Sequence, residues 1–479
     1  MSSALRFTDG WDEAYAAPGR PRRAYGPLLR RLEGADPRAL KADVTRRITA
    51  AGARFGSAPF GVCPIPRLIE GSEWEALEAG LVQRVRALSA FVEDVYGARE
   101  IVTAGILPLA TIEDAEGYEP ELRGRWPNGA APLGLAGLDV VRDRDGELLV
   151  LEDNLRTPSG FAYAVVTREA VAATLGALPA DRAMPSPVPL APMVVAALRA
   201  TLLDAAEVVR ERTGATRRGP PCVVVLTDGP ASAAFFEHQA AARWLAAPLV
   251  TCSELERRGE ELWIRGASAG KARPIDAVYR RTDSDRLRDG HGELTPAAEL
   301  LLEPWLAGRL ALVNGFGTGV ADDKLAHAYV ERMIGFYLRE APLLRSVETL
   351  DLNDRAELER VLADVRGHVV KPRHGHGGHG VVVCAHASET DVARIEHELR
   401  QPGAGSRYVA QATLALSLLP TVVGERIEPR HIDLRPFAFG TRDAITVIPG
   451  GLTRVAWNAA ALVVNSSQDG GAKDTWVLP

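Results

Sequence analysis

Three oxygen-bearing side chains around one short hairpin have types and spacing that suit a divalent cation. Asp139 precedes an Asp145-Gly146 pair, and Glu152 and Asn154 follow it. Asp-Gly is a strong signal for a two-residue hairpin turn, which would set Asp139 opposite Glu152. Because opposite residues and residues two apart share one face of paired strands, the three side chains should project together. Their oxygens suit Mg²⁺ or Mn²⁺, although a solvated acidic face near a turn is the alternative interpretation.

The residues directly after this acidic strand could receive a substrate. Arg156 can bind an anionic group through two parallel hydrogen bonds. Ser159 and Gly160 add a small hydroxyl and a backbone that a ligand can approach closely.

A glycine-rich segment suits the phosphates of a nucleotide. A strand from His368 to Lys371 is followed by a loop and a second strand, and the loop contains Gly375, Gly377, Gly378 and Gly380. Backbone N–H groups of such a hairpin can cover phosphates, and Lys371 would add a point charge. The segment is not a Walker loop, because no G-x-x-x-x-G-K-[ST] occurs, and not a Rossmann fingerprint, because a strand follows the glycines.

The histidines of this loop leave a second possibility open. His374, His376 and His379 could bind a metal ion, since histidine is the commonest metal ligand. No cysteine or carboxylate nearby completes the ligand set, so a role as polar neighbours of phosphate is favoured.

Three further positions fit a nucleotide site. Lys324 ends a glycine-rich segment that follows a strand, although a solvent-facing lysine is the simpler interpretation. Gln411 ends a short strand that could pass an adenine ring. Asp433 and Arg435 share one strand face, where a purely structural pair is the alternative.

The pattern of apolar residues predicts the elements that position these groups. Apolar spacing predicts a helix over 72–97, with Ser72 and Glu75 as a capping box, and a second helix over about 191–213. Short apolar runs near 222–227, 275–280 and 310–314 alternate with helices, which indicates an α/β sheet from about 220 to 320. The region after His368 is typical of α+β structure.

Composition limits the class of protein. The chain has 479 residues and a net charge of −6, which suggests two to four domains and argues against nucleic-acid binding. No apolar run is long enough for a membrane span, and the amino terminus lacks a secretory pattern. The four cysteines are scattered without a C-x-x-C pair, so a cytoplasmic protein is expected.

Together these segments resemble the ATP-grasp superfamily. Its usual order is reversed here, because Glu152-Asp-Asn154 precedes Lys324 and Lys371. That order resembles the circularly permuted ATP-grasp family, type 2, which is related in architecture to glutathionylspermidine synthase. The resemblance covers most of the chain and rests on IPRLIE at 65–70, EDNLRTPSG at 152–160, YRRTDSD at 279–285, NGFGTGVADDK at 314–324, PRHIDLRPF at 429–437, PGGLTRVA at 449–456 and NSSQDGGAKDTW at 465–476.

The resemblance implies a fold and residue roles. The fold would be α+β with an α/β portion, namely a permuted ATP-grasp fold with a Rossmann-like pre-ATP-grasp domain. The domains would be 1–215 with the metal site, 216–345 and 346–479. The implied roles are Mg²⁺ ligands at Asp139, Glu152 and Asn154, nucleotide contacts at Lys324, Lys371, Gly377, Gly378, Gly380, Gln411 and Arg435, catalytic roles for Arg435, Arg156 and Lys371, and substrate contacts at Arg156, Ser159 and Gly160.

The resemblance also implies an activity. It would be an ATP- and Mg²⁺-dependent, ADP-forming ligation of a carboxylate to an amine through an acyl phosphate, giving a peptide-like bond. A phosphotransferase on the same fold and a non-catalytic ATP-binding protein are the alternatives. Expected partners are small-molecule or peptide substrates, with helical or transglutaminase-like partner proteins also considered.

Overall fold

The computed structural model of the chain describes residues 10–127, 129–178, 186–214, 219–266, 273–282, 285–375, 378–458 and 470–479. No helix in these ranges combines the length and the apolar character needed to cross a membrane. The predicted linker at 178–192, the His-rich part of the glycine loop at 376–377 and the segment 459–469 fall wholly or partly outside them.

The largest sheet has ten strands and mixes parallel and antiparallel pairs. Seven of them follow one path in the order Arg345–Ser346, Leu148–Asn154, Leu135–Arg142, Arg426–Arg435, Leu452–Ala456, Gly470–Val477 and Val62–Ile69. The other three are Leu418–Val423, Phe437–Gly440 and Ile445–Val447. The sheet thus interleaves strands from the first and last predicted domains, and the three-domain division stays a prediction.

A second sheet consists of four parallel strands. Their order is Ala311–Val313, Ala277–Arg281, Val223–Thr227 and Leu249–Val250. The sequence predicted these strands because parallel strands are covered on both faces and read as continuous apolar runs. Helices Ala191–Thr213 and Phe235–Leu245 pack against this sheet.

A third sheet belongs to a separate body, residues 348–413, which we call the small lobe. Its four antiparallel strands follow the order Thr349–Leu350, Tyr408–Ala412, His368–Pro372 and Val382–Val383. Helices Arg355–Ala363 and Glu389–Leu399 complete it. The lobe has its own apolar core, made of Leu350, Leu352, Val361, Val365, Val370, Cys384, Val392, Ile395, Leu399 and Ala410.

The remaining elements surround these sheets. The other longer helices are Gly26–Leu32, Pro37–Ala50, Gly71–Tyr96, Phe161–Gly176 and Pro296–Leu306. The shorter ones are Glu100–Thr103, Leu109–Glu113, Lys324–His327, Val330–Met333 and Ala404–Arg407. Three ribbons pair Tyr15–Ala17 with Arg20–Pro21, Arg54–Phe55 with Ala58–Pro59, and Leu255–Arg258 with Glu261–Ile264.

The long helix predicted at 72–97 is confirmed as Gly71–Tyr96. Its predicted capping box is wrong, because the helix starts directly after Glu70, whose side chain caps nothing. The start is fixed by packing: a Cβ on Gly71 would lie 2.7 Å from the carbonyl oxygen of Leu478. This close approach of the segment around Leu478 leaves Ser72 inside the first turn of the helix.

Candidate active site

The acidic hairpin places Asp139 directly opposite Glu152, as the sequence predicted. The predicted two-residue turn is wrong, however, because Arg142 pairs with Leu148 and five residues connect the strands. A register shift between Asp139 and Val140 leaves one extra residue, Leu151, on the second strand. This bulge compensates for the longer turn and restores the expected pairing of the two carboxylates.

The turn is organised by a residue that the sequence analysis did not single out. One carboxylate oxygen of Asp143 accepts hydrogen bonds from the backbone N–H groups of Asp145 and Glu147, each 2.9 Å long. Gly146 has a φ of +91°, a conformation that favours glycine. An Asx-type turn therefore replaces the tighter hairpin turn.

One cavity between the large sheet and the small lobe is lined by most of the residues predicted to contact a nucleotide. Its polar lining consists of Asp139, Glu152, Lys324, Lys371, Gly375, Gly378, His379, Gln411, Thr413, Asp433 and Arg454. Its apolar lining includes Val141, Leu151, Val369, Val381, Val383, Leu414 and Leu416. This first cavity therefore has a charged part and an apolar part, which suit phosphates and a base respectively.

The predicted residues do not all line this cavity. Asn154 and Gly380 are absent from its lining, and Gly377 lies outside the described residues. Arg435 lines a neighbouring cavity instead. The roles predicted for these four residues, like those of the residues that line the cavity, stay predictions.

The two lysines approach the first cavity from different elements. Lys371 lies on the strand His368–Pro372, where removal from water lowers its pKa and Glu152 partly opposes that shift. Lys324 begins the one-turn helix that Asp323 caps through the N–H of Leu325. The ammonium group of Lys324 donates to the carbonyl oxygen of Gly375 at 2.8 Å, so this lysine already contacts the glycine loop.

Arg373 anchors the glycine loop, and the sequence analysis missed it. Its guanidinium is buried and donates to both oxygens of Asp323, at 2.9 and 3.1 Å, and to the carbonyl oxygen of Thr111 at 2.6 Å. One carboxylate thus caps the helix of Lys324 and holds the strand end after Lys371.

On the large-sheet side, the carboxylates are paired with two arginines. Asp139 accepts from Arg435 at 2.6 and 2.8 Å and from Arg454 at 2.7 Å. Arg454 also donates to both oxygens of Asp433, its partner across the strands. Asp433 and Arg435, which share one strand face, therefore find their partners on other strands.

Burial and ion pairing shift the pKa values of this cluster in different directions. Burial alone would raise the pKa of Asp139, but Arg435 and Arg454 outweigh it and lower the pKa. For Asp433 burial dominates, and its pKa is raised despite Arg454. The cluster holds two carboxylates and two guanidiniums in a site mostly removed from water.

The donor set fits Mg²⁺, the ion that the sequence pattern suggested. Asp139 and Glu152 offer hard carboxylate oxygens, and those of Asp139 also accept from Arg435 and Arg454. The buried amide nitrogen of Asn154 has no hydrogen-bond partner among the described residues, but as a donor it is not a metal ligand. Within those residues, no group of three or more His, Cys, Asp or Glu side chains could hold a metal ion. A cation here would therefore need the Asn154 oxygen, water or substrate phosphate as further ligands.

Of the loop histidines, His374 and His379 are exposed.

The opposite face of the acidic hairpin is fixed by a buried ion pair. Asp153 accepts from Arg84 at 2.6 and 2.7 Å, and its second oxygen lies 2.8 Å from Nδ1 of His327. Burial opposes the ionisation of Asp153, yet Arg84 and His327 hold its pKa far below the usual range. This pair attaches the hairpin to the long helix and so fixes where Glu152 points.

A second cavity adjoins the first, and Arg454 lines both. Its lining contains Thr157, Ser159, Gly160, Arg281, Arg435, His238 and the aromatic residues Phe55, Phe60 and Tyr163. Two of the predicted substrate residues, Ser159 and Gly160, are thus found here. Arg281 and His238 were missed, because only the parallel sheet's fold brings them beside the acidic hairpin.

Arg156, the third predicted substrate residue, lies outside the second cavity. Its Nε donates to Asp322 at 2.7 Å, and its Nη1 is 3.3 Å from Asp285. It lines neither of the two cavities. A catalytic or substrate role for Arg156 therefore stays a prediction, and in this structure its guanidinium joins two chain segments.

The described part of the polar tail motif, residues 470–476, belongs to the large sheet. Lys473 is fully buried and donates to the carbonyl oxygens of Ile65 and Pro420, at 3.1 and 2.9 Å, and to the sulfur of Cys63 at 3.0 Å. Asp474 is paired with Arg168 at 2.8 Å. Lys473 thus connects strands, whereas Asp474 connects its strand to the helix Phe161–Gly176.

Comparison with known proteins gives a consistent result. The model of the family described as circularly permuted ATP-grasp type 2 matches residues 66–456. An uncharacterized protein of Synechocystis sp. is 37% identical over 98% of this chain and 97% of its own length. A protein of Frankia alni named as a glutamate–cysteine ligase is 38% identical over 98% of this chain, which spans 54% of that relative.

Among solved structures, the fold is similar to that of a glutathione synthetase-like effector from Globodera pallida. The TM-score is 0.59, with 92% of this chain and 98% of that chain covered. At 12% identity, this likeness concerns the fold alone.

Proposed function

The chain belongs to the circularly permuted ATP-grasp type 2 family, and from this premise we propose that it is an ATP- and Mg²⁺-dependent ligase that joins a carboxylate to an amine. The observation that carries the proposal is the first cavity, where the paired carboxylates Asp139 and Glu152 face Lys324 and Lys371. Opposite charges across one cavity suit a metal–triphosphate complex, in which anionic phosphates lie between cations and the metal between anions.

In this proposal the chain's residues position ATP. Lys324, Lys371 and the backbone around Gly378 hold the phosphates, while the apolar part of the cavity and Gln411 receive the base. Asp139, Glu152 and Asn154 would hold Mg²⁺ (or Mn²⁺), which would offset phosphate charge and polarise the γ-phosphorus. Arg435 and Arg454 lie beside Asp139, where they can stabilise the charge that shifts during transfer.

The proposed reaction has two steps. A carboxylate oxygen attacks the γ-phosphorus of ATP, the bond to the bridging oxygen breaks, and ADP leaves with the electron pair. The amine nitrogen then attacks the acyl carbon, the bond to phosphate breaks, and the nitrogen loses a proton as inorganic phosphate leaves. The glycine hairpin of the small lobe would exclude water from the acyl phosphate.

Several finer assignments accompany this proposal. The four-stranded parallel sheet would be the Rossmann-like pre-ATP-grasp domain within residues 216–345. The product would be a peptide-like amide formed in the cytoplasm from small-molecule or peptide substrates. The name of the Frankia alni relative supports a ligase, although that protein is nearly twice as long.

The test is ADP release with a panel of carboxylates, using hydroxylamine as the amine. Hydroxylamine converts an acyl phosphate into a stable hydroxamate, so ligation predicts equal amounts of ADP and hydroxamate. A phosphorylated product without hydroxamate would indicate a phosphotransferase. ATP binding with no ADP from any acid in a broad panel would contradict the proposal.

A further inference from the structure

The second cavity has two chemically different sides. On one side lie Arg281, Arg435 and Arg454, and on the other lie Phe55, Phe60 and Tyr163. Arg454 is common to both cavities, so this cationic side borders the first cavity. A molecule bound here would therefore present its anionic group toward the nucleotide and its remaining atoms toward the rings.

Arg281 is held in place on the cationic side. It is buried, and its two terminal nitrogens donate to the carbonyl oxygen of Pro158, at 2.9 Å, and to the hydroxyl of Ser159. One of them, Nη2, also lies 3.6 Å from the buried carboxylate of Glu237. These contacts fix the guanidinium at the lining of the cavity before a ligand binds.

A carboxylate is the acceptor that suits this side. Guanidinium groups bind carboxylates through short, charge-assisted hydrogen bonds with matched planar geometry. Arg435 has a further terminal nitrogen whose contact, with the carbonyl oxygen of Ser159, is 3.4 Å long. The arginines are paired with Glu237, Asp139 and Asp433, but none of these carboxylates lines the second cavity. The lining itself is therefore cationic and fits the carboxylate substrate better than the amine.

The neighbouring histidine adds no charge. Burial, together with Arg281, lowers the pKa of His238 to about 3, so its imidazole is neutral at physiological pH. Its Nδ1 lies 2.8 Å from the hydroxyl of Thr227, which fixes the ring. The positive charge of the cavity therefore comes from the arginines.

The other side is a wall of aromatic rings. The ring of Tyr163 lies 4.6 Å from that of Phe60 and 6.0 Å from that of Phe55, measured between centroids. The hydroxyl of Tyr163 donates to the carbonyl oxygen of Arg54 at 2.8 Å, so its polar atom is already used. Such a wall favours apolar groups and penalises a second carboxylate, which would lose its hydration.

We propose that the second cavity binds the carboxylate substrate, and that this substrate is a monocarboxylic acid with an apolar, aromatic-sized side group. Its carboxylate lies among Arg281, Arg435 and Arg454, at the border with the first cavity. Its side group packs against Phe55, Phe60 and Tyr163. This inference rests on the proposed function for its chemistry, but not for its prediction of binding.

The experiment compares acids that differ in the side group alone. Phenylalanine is paired with glutamate, and 3-phenylpropionate with glutarate, in ADP-release assays with ATP, Mg²⁺ and hydroxylamine. The aromatic member of each pair should have at least about tenfold higher kcat/KM, as expected from burying a ring and not a charge. Equal or better turnover of glutamate and glutarate would overturn the inference and leave the ligase proposal standing.

Calorimetry with a non-hydrolysable ATP analogue separates binding from chemistry. Binding of 3-phenylpropionate in preference to glutarate, without ADP release by any acid, would contradict the ligase proposal and support the cavity assignment. Absence of such preferential binding would overturn the assignment.

A matched pair of variants locates the aromatic wall. Phe55→Ala should raise KM for 3-phenylpropionate about tenfold, with KM for ATP and kcat little changed, because uniform binding is lost. Phe336→Ala removes an equally half-buried ring that lines neither cavity and should change neither constant. Unchanged KM in Phe55→Ala, or an equal rise in both variants, would contradict the assignment.

Discussion

The large sheet and the small lobe form the two walls of the first cavity and are built in different ways. Charged groups in and next to the large sheet are buried and paired, at the cavity in Arg435–Asp139 and Arg454–Asp433, and away from it in Arg84–Asp153 and Arg67–Glu13. The small lobe has its own small core and ion pairs on its surface, as in Arg360–Glu348, Arg355–Glu359, Arg366–Glu389 and Arg400–Glu396.

This difference indicates that the two walls have different roles. Charges held by buried partners keep their positions before any ligand arrives, which is the condition for electrostatic catalysis. The hydrogen bonds that join the small lobe to the rest of the molecule include those of Lys324 with Gly375, Arg373 with Asp323 and Thr111, Asp351 with Tyr329, and Gln411 with Leu151. We therefore expect the large sheet to stay fixed and the small lobe to move when a nucleotide binds.

The largest expected effect comes from removing a carboxylate of the fixed wall. Glu152→Gln should lower kcat by about 10³-fold or more, roughly 4 kcal/mol of barrier, because Mg²⁺ loses a charged ligand. Unfolding temperature should change by only about 2 °C. ADP release and calorimetry measure the two effects, and Glu147→Gln, on the exposed turn of the same hairpin, is the control. Normal turnover in Glu152→Gln would contradict the proposal that Glu152 holds the metal ion of an active site.

The next effect concerns the stability of the large sheet and its dependence on pH. Burial alone would raise the pKa of Glu13, but Arg67 and Arg142 outweigh it and lower the pKa from 4.5 to about 2. A lowered carboxyl pKa stabilises the folded protein above pH 4.5, and that stability is lost as the pH falls toward 2. The shift corresponds to about 3 kcal/mol.

Glu13→Gln should therefore lower the free energy of unfolding by about 3 kcal/mol near pH 7, since it leaves two buried guanidiniums short of a charge. It should also flatten the decline of stability between pH 4.5 and 2. Denaturant titrations across this pH range measure both effects. A loss below about 1 kcal/mol would contradict the view that this wall depends on buried ion pairs.

A smaller effect is expected where the small lobe meets the rest of the protein. Lys324→Met removes a phosphate contact and the hydrogen bond to Gly375, so KM for ATP should rise about tenfold. Amide hydrogen exchange in the glycine loop should become faster without ATP, because the loop loses an anchor. Unchanged exchange together with unchanged KM would mean that Lys324 neither binds the nucleotide nor restrains the loop.

The smallest effect is expected for the surface pairs of the small lobe. Arg360→Ala breaks an exposed pair with Glu348 and should leave the free energy of unfolding almost unchanged, because solvent screens such pairs. Denaturant titration measures this. A cost comparable to that of Glu13→Gln would erase the contrast between the two walls.

Local patterns predicted much of this fold. The helix Gly71–Tyr96 follows from the periodicity of its apolar residues. Three strands of the parallel sheet and the two strands around the glycine loop follow from short apolar runs. The pairing of Asp139 with Glu152 was also predicted, although the turn was not. The longer turn displaces the pairing of the two strands by one residue, and the bulge at Leu151 restores it. The predicted pair is therefore observed.

Contacts between distant segments could not be predicted in this way. Arg454 was quoted as part of a motif, but its position between Asp433 and Asp139 depends on which strands become neighbours. Arg281 reaches Ser159 only because the parallel sheet packs beside the acidic hairpin. No spacing in the sequence encodes such neighbours, since they are set by tertiary packing.

The strand Gly470–Val477 has a consequence for how the protein is made. It lies between Leu452–Ala456 and Val62–Ile69, and the bond from Lys473 to Cys63 joins residues 410 positions apart. During synthesis on a ribosome, the strand Val62–Ile69 stays without its partner strand until almost the whole described chain has been synthesised. Such an edge is open to wrong pairing meanwhile, so we expect folding of this sheet to be completed after synthesis and to benefit from chaperones.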